Sequence, residues 1–441
     1  MQGCLAIAPR ESGGATLEIE AITTAEGWAR LEAAWDPLVE RSASASIFLT
    51  WEWLWPWWRC FRRPGDELFV LAAWDAASGD CRLPSAECRV GPPQSASRNP
   101  QSGRLIGLAP LYRSRVRAAH RLGSLRRIGF IGDHSCDSEY LDFIIEPGRE
   151  AEVLAAFLDS VARDPRGWDL LQLSLLPTAS PNHALLRGLA AERGWAVESW
   201  EWPCLAIRLP GDWESYLRTL QPRFRSKLRS LGRRLREGRG AAFEQCTDAA
   251  ELPARLESLF ELHQRRWRAA GKAGSFAGEA RRRFYREMGE AFLRRGWLRF
   301  HSLRLEGAFA AHEFSFEHLG RVYFLQQAYD IEREELNPGT ALKAHVIRES
   351  IGRGAREYDF LGGDAPYKRQ WGAERRSCTF LTLARPAASP RVHLWLRRAA
   401  QRVRDRARAL TPEPLLRLKR RVQARLKKPP KATTDSTDGH G

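Results

Sequence analysis

Apolar positions along the chain change period several times, and each change marks an element. Leu17–Ile22 reads as a strand, followed by a helix over Ala25–Val39 with Trp28, Leu31, Trp35 and Leu38 on one face. A second, aromatic-rich helix is expected over Phe48–Phe61. Glu67–Trp74 and Leu105–Tyr112 read as paired strands; the Gly, Pro, Ser and Asn between Asp75 and Arg104 read as a mobile insertion in their hairpin. Strands are predicted at Ser124–Ile131, Tyr140–Ile145 and Trp168–Leu175, with helices over Glu150–Arg163 and His183–Gly194. Pro203–Asp212 reads as a crossing between two halves. Helices are then expected over Arg223–Arg239, Glu251–Ala269 and Arg281–Arg295. Trp297–Leu305, Ala308–Phe316 and Val322–Tyr329 form an antiparallel meander. Asn337-Pro-Gly-Thr340 opens a helix with a capping side chain and an early proline, and Leu342, Val346, Ile347 and Ile351 give it one buried face. Gly352 and Gly354 end that helix, and Tyr358–Leu361 is a short strand broken by Gly362-Gly363. Both halves run strand, helices, hairpin, further strand, helix, strand, the order of an internal duplication.

Composition narrows the class. The 441 residues are 43% hydrophobic and 10% aromatic, enough for two or three domains with real cores. Eight cysteines without C-x-x-C spacing suggest neither a zinc site nor a disulfide scaffold, so no metal is expected and a reducing cytoplasm fits. No secretory signal is legible at the start, and no apolar run is long enough to span a bilayer. The net charge of +17 is concentrated at the end: 15 Lys/Arg against 4 Asp/Glu place +11 from Arg391 onward and +6 before it. A high pI of this origin says little about nucleic acid binding by the folded body. The tail itself reads as a basic amphipathic helix over Arg391–Leu410, with Val392, Leu396, Ala399, Val403, Ala407 and Leu410 as its stripe. A shorter helix follows at Leu415–Leu426, then a disordered end after Pro429. Either the tail docks on the second domain with its arginines in water, or residues 391–428 contact an anionic membrane.

A loop entering a helix N-terminus can hold a phosphate, and it can equally be an ordinary connection. The helix from Arg223 presents Arg223, Arg225, Lys227, Arg229, Arg233, Arg234 and Arg236 around the stripe Phe224, Leu228, Leu231, Leu235; it is either a solvated face or a surface for an anion. There is no G-x-S-x-G elbow, Walker loop or Rossmann fingerprint.

Gln326-Gln-Ala-Tyr-Asp330, then Asn337-Pro-Gly339, then Asp359-Phe-Leu-Gly-Gly363-Asp364, Tyr367-Lys368 and Trp371 resemble the CelD-like proteins of the GNAT acyltransferases. Leu262-His263-x-x-Arg266-Trp267, the Arg223 helix, Trp51-Glu-Trp53 and Tyr140-Leu-Asp142 fit the same pattern, so the resemblance covers about residues 17–385. It implies an α/β protein of tandem GNAT-like domains, each a mixed, largely antiparallel sheet flanked by helices, as in the related FemABX aminoacyltransferases. The halves are placed at 15–208, the first and degenerate one, and 209–388, with the tail from 389. The resemblance implies acyl-CoA, such as acetyl-CoA, as co-substrate and an amine-bearing small molecule or glycan precursor as acceptor. Polysaccharide or cell-envelope synthesis is the implied setting. The rival readings are aminoacyl transfer from tRNA and a non-catalytic accessory protein.

Within that frame Gly339 and Thr340 face the pyrophosphate, with Gln326, Asn337, Ala341 and Gly363 in the cofactor set. For proton transfer the candidates are His312 and Glu313, on opposite faces of one strand; His312 also reads as a satisfied core histidine. Asp359 needs a partner at mid-sheet, and Lys368 is the expected one, in a pair either structural or catalytic. Tyr367 is the candidate acid for the leaving thiolate. His263, Arg266, Trp267, Asp330, Asp364 and Trp371 make up the acceptor set, although His263 and Trp267 also suit packing on the sheet.

Overall fold

Fifteen strands and twelve α-helices are formed among the residues that the computed structural model describes, 17–75, 103–119, 123–135, 137–238 and 240–410. The first half opens with β1 (Leu17–Ile22), α1 (Ala25–Ala29), α2 (Glu32–Arg41) and α3 (Trp51–Phe61). The single helix expected over Ala25–Val39 breaks at Arg30–Leu31, yet Trp28, Leu31, Trp35 and Leu38 all point inward. Next come β2 (Glu67–Leu68), β3 (Val70–Asp75), β4 (Arg104–Ala109) and β5 (Leu111–Arg117). These are the expected hairpin, interrupted at Phe69 and Pro110; proline has no N–H to give a ladder. There the pair leaves one sheet for another: β3 and β4 lie in a four-stranded sheet, β2 and β5 in an eleven-stranded one. Asp75 pairs with Arg104, so the expected insertion starts and ends at one point of the hairpin; its residues 76–102 lie outside the described ones.

β6 (Ser124–Phe130), β7 (Ile144–Ile145), α4 (Glu150–Ala162), β8 (Leu170–Pro177) and α5 (Pro181–Glu192) complete the first half. The strand expected at Tyr140–Ile145 shrinks to β7, and Tyr140, at its expected start, adopts a left-handed backbone (φ 51°). The second half contains β9 (Ala196–Arg208), α6 (Trp213–Thr219), α7 (Pro222–Gly238), β10 (Ala242–Gln245), α8 (Leu252–Ala269) and α9 (Glu279–Arg294). The meander follows as β11 (Leu298–Leu305), β12 (Ala308–His318) and β13 (Arg321–Tyr329). α10 (Pro338–Gly352), β14 (Glu357–Gly362), α11 (Pro366–Gln370), β15 (Glu374–Ala384) and α12 (Ala388–Leu410) end it.

The small sheet has the order β1-β3-β4-β7 and the large one β10-β11-β12-β13-β14-β9-β15-β8-β6-β5-β2. The large sheet contains the same device twice. A short parallel pair is bridged by a helix: β6 with β8 through α4, and β13 with β14 through α10. The halves also exchange strands. β9 lies between β14 and β15, and β15 lies between β9 and β8. The crossing expected at Pro203–Asp212 is therefore a shared strand, and the boundary expected at 208/209 falls at the end of it.

One face of the second half's sheet packs on α8 and α9 and shares a core with the first half; Trp53 of α3 meets Phe284 of α9 edge-to-face at 5.1 Å. The other face packs on α6, α7 and α10 in a second core. The tail helix α12 packs Leu394 with Ala118, Leu125 and Leu170 of the first half and Ala384 of β15. The Ala119 amide donates to His393 Nδ1 at 2.9 Å, and Arg398 to the Val197 carbonyl at 2.6 Å. The expected docking on the second domain is thus shared: α12 rests on β15 and on the first half as well. Of the expected apolar stripe Leu396 and Ala399 are half-buried, while Val392 is 44% and Val403 66% exposed, and Trp395 beside it is 66% exposed.

Candidate active site

The β13–β14 pair is in register only over Arg321–Tyr323 with Glu357–Asp359, and beyond that the strands separate. β13 also bulges against β12: Phe314 faces Gln326 while Ser315 faces Phe324, so Leu325 is the extra residue. β13 and β14 thus diverge toward the head of α10. Pro338 brings no N–H to that helix start, and the amides of Thr340 and Ala341 both go to the Asn337 carbonyl at 3.1 Å. The Asn337 side chain does not cap the helix as expected; its backbone is left-handed and its Oδ1 accepts from Lys227 Nζ at 2.9 Å. The basic helix α7 thereby sets a cation beside the helix start. The cleft between α7 and α10, of about 690 Å³, is lined by Arg229, Arg233, His345 and Arg348, with Ala341 from the cofactor set at its base.

Gly339 is buried and faces inward. A Cβ there would meet Tyr329 Cδ1 at 3.2 Å and Gln327 Oε1 at 3.4 Å, and its carbonyl accepts from Gln327 Nε2 at 2.9 Å. The glycine serves close packing of α10 on β13. Thr340 is half-buried, and Gln326 stands just past the bulge.

Glu313 of β12 is fully buried. Lys343 Nζ donates to it at 2.8 Å, the Tyr358 hydroxyl at 2.5 Å and Gln327 Nε2 at 3.2 Å. The four residues come from β12, α10, β14 and β13, so the network ties the separating strands to the helix between them. Lys343 also lies over the Phe324 ring, 3.2 Å from its centroid. Burial pulls its ammonium down to about 8. Neither Lys343 nor Tyr358 was legible as part of a site. His312, on the other face of β12, is held by two hydroxyls, Ser302 Oγ at 2.8 Å from Nδ1 and Ser258 Oγ at 2.9 Å from Nε2. Burial, with Arg255 and Arg304 nearby, pushes it down to about 3, so it is a neutral core histidine.

The expected Asp359–Lys368 pair does not form. Asp359 Oδ2 accepts from the Tyr140 hydroxyl at 2.7 Å and Oδ1 from the Leu361 amide at 2.7 Å. Burial raises its carboxyl. Lys368 Nζ donates to the carbonyls of Phe360, Leu361 and Gly362 at 2.8, 3.1 and 2.6 Å. It fastens the end of β14, where Leu361 has φ 59° and Gly363 φ 91°. Tyr140 and Leu361 are both left-handed, and such backbone persists only where surroundings fix it.

On the rim, Trp267 Nε1 donates to His263 Nε2 at 2.8 Å, and Arg266 lies 5.2 Å from the Tyr329 ring centroid. Burial pushes His263 down to about 4. Tyr367 is 44% exposed; desolvation, with the Glu313 charge, lifts its phenol to about 12. The other expected acceptor residues are occupied elsewhere. Asp330 accepts from the Glu332 amide at 3.1 Å, and Asp364 accepts from Arg369 Nε at 2.8 Å. Trp371 is buried in the second core, 5.0 Å from Phe224, with its carbonyl accepting from Tyr216.

Residues 222–369, which hold these diverging strands and the network, match the family described as acetyltransferase (GNAT) domain. The protein therefore carries a GNAT domain in its second half. At the scale of the whole chain the structure is similar to FemX, with TM-score 0.52 and 15% identity over 79% of this chain and 95% of that one, a likeness of fold. A conserved protein of unknown function from Bacteroides thetaiotaomicron aligns at TM-score 0.47 and 12% identity, over 80% and 97% of the chains. A tandem GNAT protein from the clavulanic acid biosynthesis pathway aligns at 0.41 and 16%, over 84% and 100%. No curated protein matches the sequence.

Proposed function

We propose that the second half transfers an acyl group from acyl-CoA, acetyl-CoA in the first instance, to the nitrogen of an amine. The observation that carries this reading is the separation of β13 from β14 toward a helix start backed by Lys227. A pantetheine arm fits between separating strands, and an anion gains from the nearby cation and helix dipole. Thr340, Ala341, Gln326 and Gly363 are the residues we assign to the cofactor there. In the reaction the amine nitrogen bonds to the thioester carbon, the C–S bond breaks, the amine loses a proton and the thiolate gains one. Tyr367, exposed and fully protonated near pH 7, is suited to give the thiolate its proton. Glu313 is enclosed by Tyr358 and Lys343, so its part is to position the strands and helix that it ties together.

The first half is a poor donor site. Its bridging helix α4 starts with Glu150 and Glu152, which repel an anion, whereas α10 has no acid in its first turn. The buried Arg127 is already engaged by Tyr112, Asp133 and Gln172 beside the β6–β8 pair.

An amino sugar or cell-envelope precursor is the proposed acceptor, in polysaccharide assembly at the cytoplasmic face of a membrane. No helix among the described residues is long and apolar enough to cross one. The contact we propose is peripheral, through α12, whose exposed Val392, Trp395 and Val403 stand among arginines. An aminoacyl-tRNA donor is the second reading, favoured by the exposed Arg223, Lys227, Arg229, Arg233 and Arg234 of α7.

Thermal unfolding with and without acetyl-CoA separates these. Ligand at 100 times Kd stabilises by about 2.7 kcal/mol. We expect a rise in melting temperature with acetyl-CoA, lost in Lys227→Glu while that variant melts like wild type without ligand. No response to acetyl-CoA or CoA, with a salt-sensitive response to aminoacyl-tRNA, would replace the first reading by the second.

A further inference from the structure

Three side chains meet where β9, β15 and the end of β14 converge. Cys204 Sγ is 3.7 Å from Cys378 Sγ and 3.7 Å from Glu139 Oε2. All three donor atoms lie within 4.8 Å of one another, and both cysteines are fully buried. The other carboxylate oxygen, Oε1, accepts from the Gly362 amide at 3.1 Å, which turns Oε2 toward the thiols. These residues are 65 and 174 positions apart, so cysteine spacing had no means of showing them.

Distances decide what the cluster is sized for. Two sulfurs each ~2.3 Å from a tetrahedral zinc ion stand about 3.8 Å apart, and an oxygen at ~2.0 Å stands about 3.5 Å from each sulfur. The two 3.7 Å separations at Cys204 match with only small adjustment, and the third pair lies within 4.8 Å. A disulfide would need the sulfurs to close to about 2.0 Å. Charge agrees as well. Two thiolates and a carboxylate around a divalent ion carry −1, and the Lys368 ammonium lies in the electrostatic reach of Glu139 and Cys204.

We propose that Glu139, Cys204 and Cys378 bind one divalent cation of the zinc type, with water in the fourth position. Binding releases the two thiol protons. Glu139 belongs to the first half, Cys204 to the shared strand β9 and Cys378 to β15 of the second half, and Glu139 also holds Gly362, four residues before α11 begins. The ion fastens the joint between the halves and the loop that presents Tyr367. This inference is independent of the acyl-transfer reading.

The test is titration of full-length, chelator-treated, reduced protein with Co²⁺ as an optical probe, then displacement by Zn²⁺. We expect one equivalent of cobalt with a thiolate-to-metal charge-transfer band that zinc abolishes. Cys204→Ser and Cys378→Ser each remove the band, Glu139→Gln weakens binding at least tenfold, and Cys60→Ser and Cys246→Ser leave it unchanged. Circular dichroism checks folding, and if one cysteine variant fails to fold the other still decides. Absence of the band in wild type, or its survival in a folded Cys204→Ser or Cys378→Ser, overturns the proposal.

Discussion

A lysine within a helix is usually a solvent residue, because its ammonium is costly to bury. Lys343 is instead 2% exposed, and only the Glu313 carboxylate, the Tyr358 hydroxyl and the Phe324 ring make its burial tolerable. Removing one partner leaves the other charge buried alone. Lys343→Met should therefore cost roughly 3–5 kcal/mol, read by urea unfolding; a loss under about 1 kcal/mol would mean that water reaches Glu313. His312 gives a prediction in pH. Its folded-state value near 3 lies below the ordinary 6.5, so the unfolded chain takes up a proton that the folded protein refuses. Its stabilising share is complete above pH 6.5 and falls as pH drops from there toward 3. At pH 5 the loss is about 2 kcal/mol, and His312→Gln should lose that much less between pH 7 and pH 5 in urea titrations. Residue type alone explains the misses at this scale. A lysine at helical spacing reads as solvated, and the partner of Asp359 is Tyr140, 219 residues away, not a neighbour in the motif.

Helical periodicity reveals an amphipathic element but not which face the body takes. For α10 the two agree: Leu342, Val346, Ile347 and Ile351 are all buried. For α12 they do not. His393 and Leu394 dock, while Val392, Trp395 and Val403 face outward. Burying apolar surface is worth about 25 cal/mol per Å², so a helix that leaves these side chains in water has a favourable site to fill. Another copy of this helix or the chain's own basic end would bring like charge, whereas an anionic bilayer brings opposite charge. We expect full-length protein to float with anionic vesicles at low salt and to be released as ionic strength rises. Trp395→Ser/Val403→Ser should weaken flotation, and a chain ending at Pro390 should abolish it. Equal flotation with neutral vesicles, or none of these differences, would leave α12 a docking helix alone.

At the scale of the molecule, the order of the meander, α10 and β14 was readable because each carries its own period and its own breakers. β15 was not: Glu374-Arg-Arg-Ser opens it with polar residues, and its place depends on strands from both halves. The hairpin of β3 and β4 yields a direct test. Asp75 and Arg104 are already opposite each other, so replacing residues 76–103 with Asn-Gly should form a two-residue turn. The melting temperature should stay within about 4 °C, the effect of roughly 1 kcal/mol. A larger fall would show that the segment contributes to packing.

The strand exchange also sets the order of events during synthesis. When β9 leaves the ribosome, neither of its neighbours, β14 and β15, has yet been made, and β8 lacks one edge as well. The ribosome must add more than 160 further residues before Glu374 appears, which at about 5–20 residues per second takes roughly 8–30 s. Throughout that time the nascent first half presents unpaired strand edges, a template for pairing with the wrong chain. A pause, a truncation or a premature stop ahead of β15 thus leaves a sticky intermediate. The last strand translated is the one that makes the first half safe.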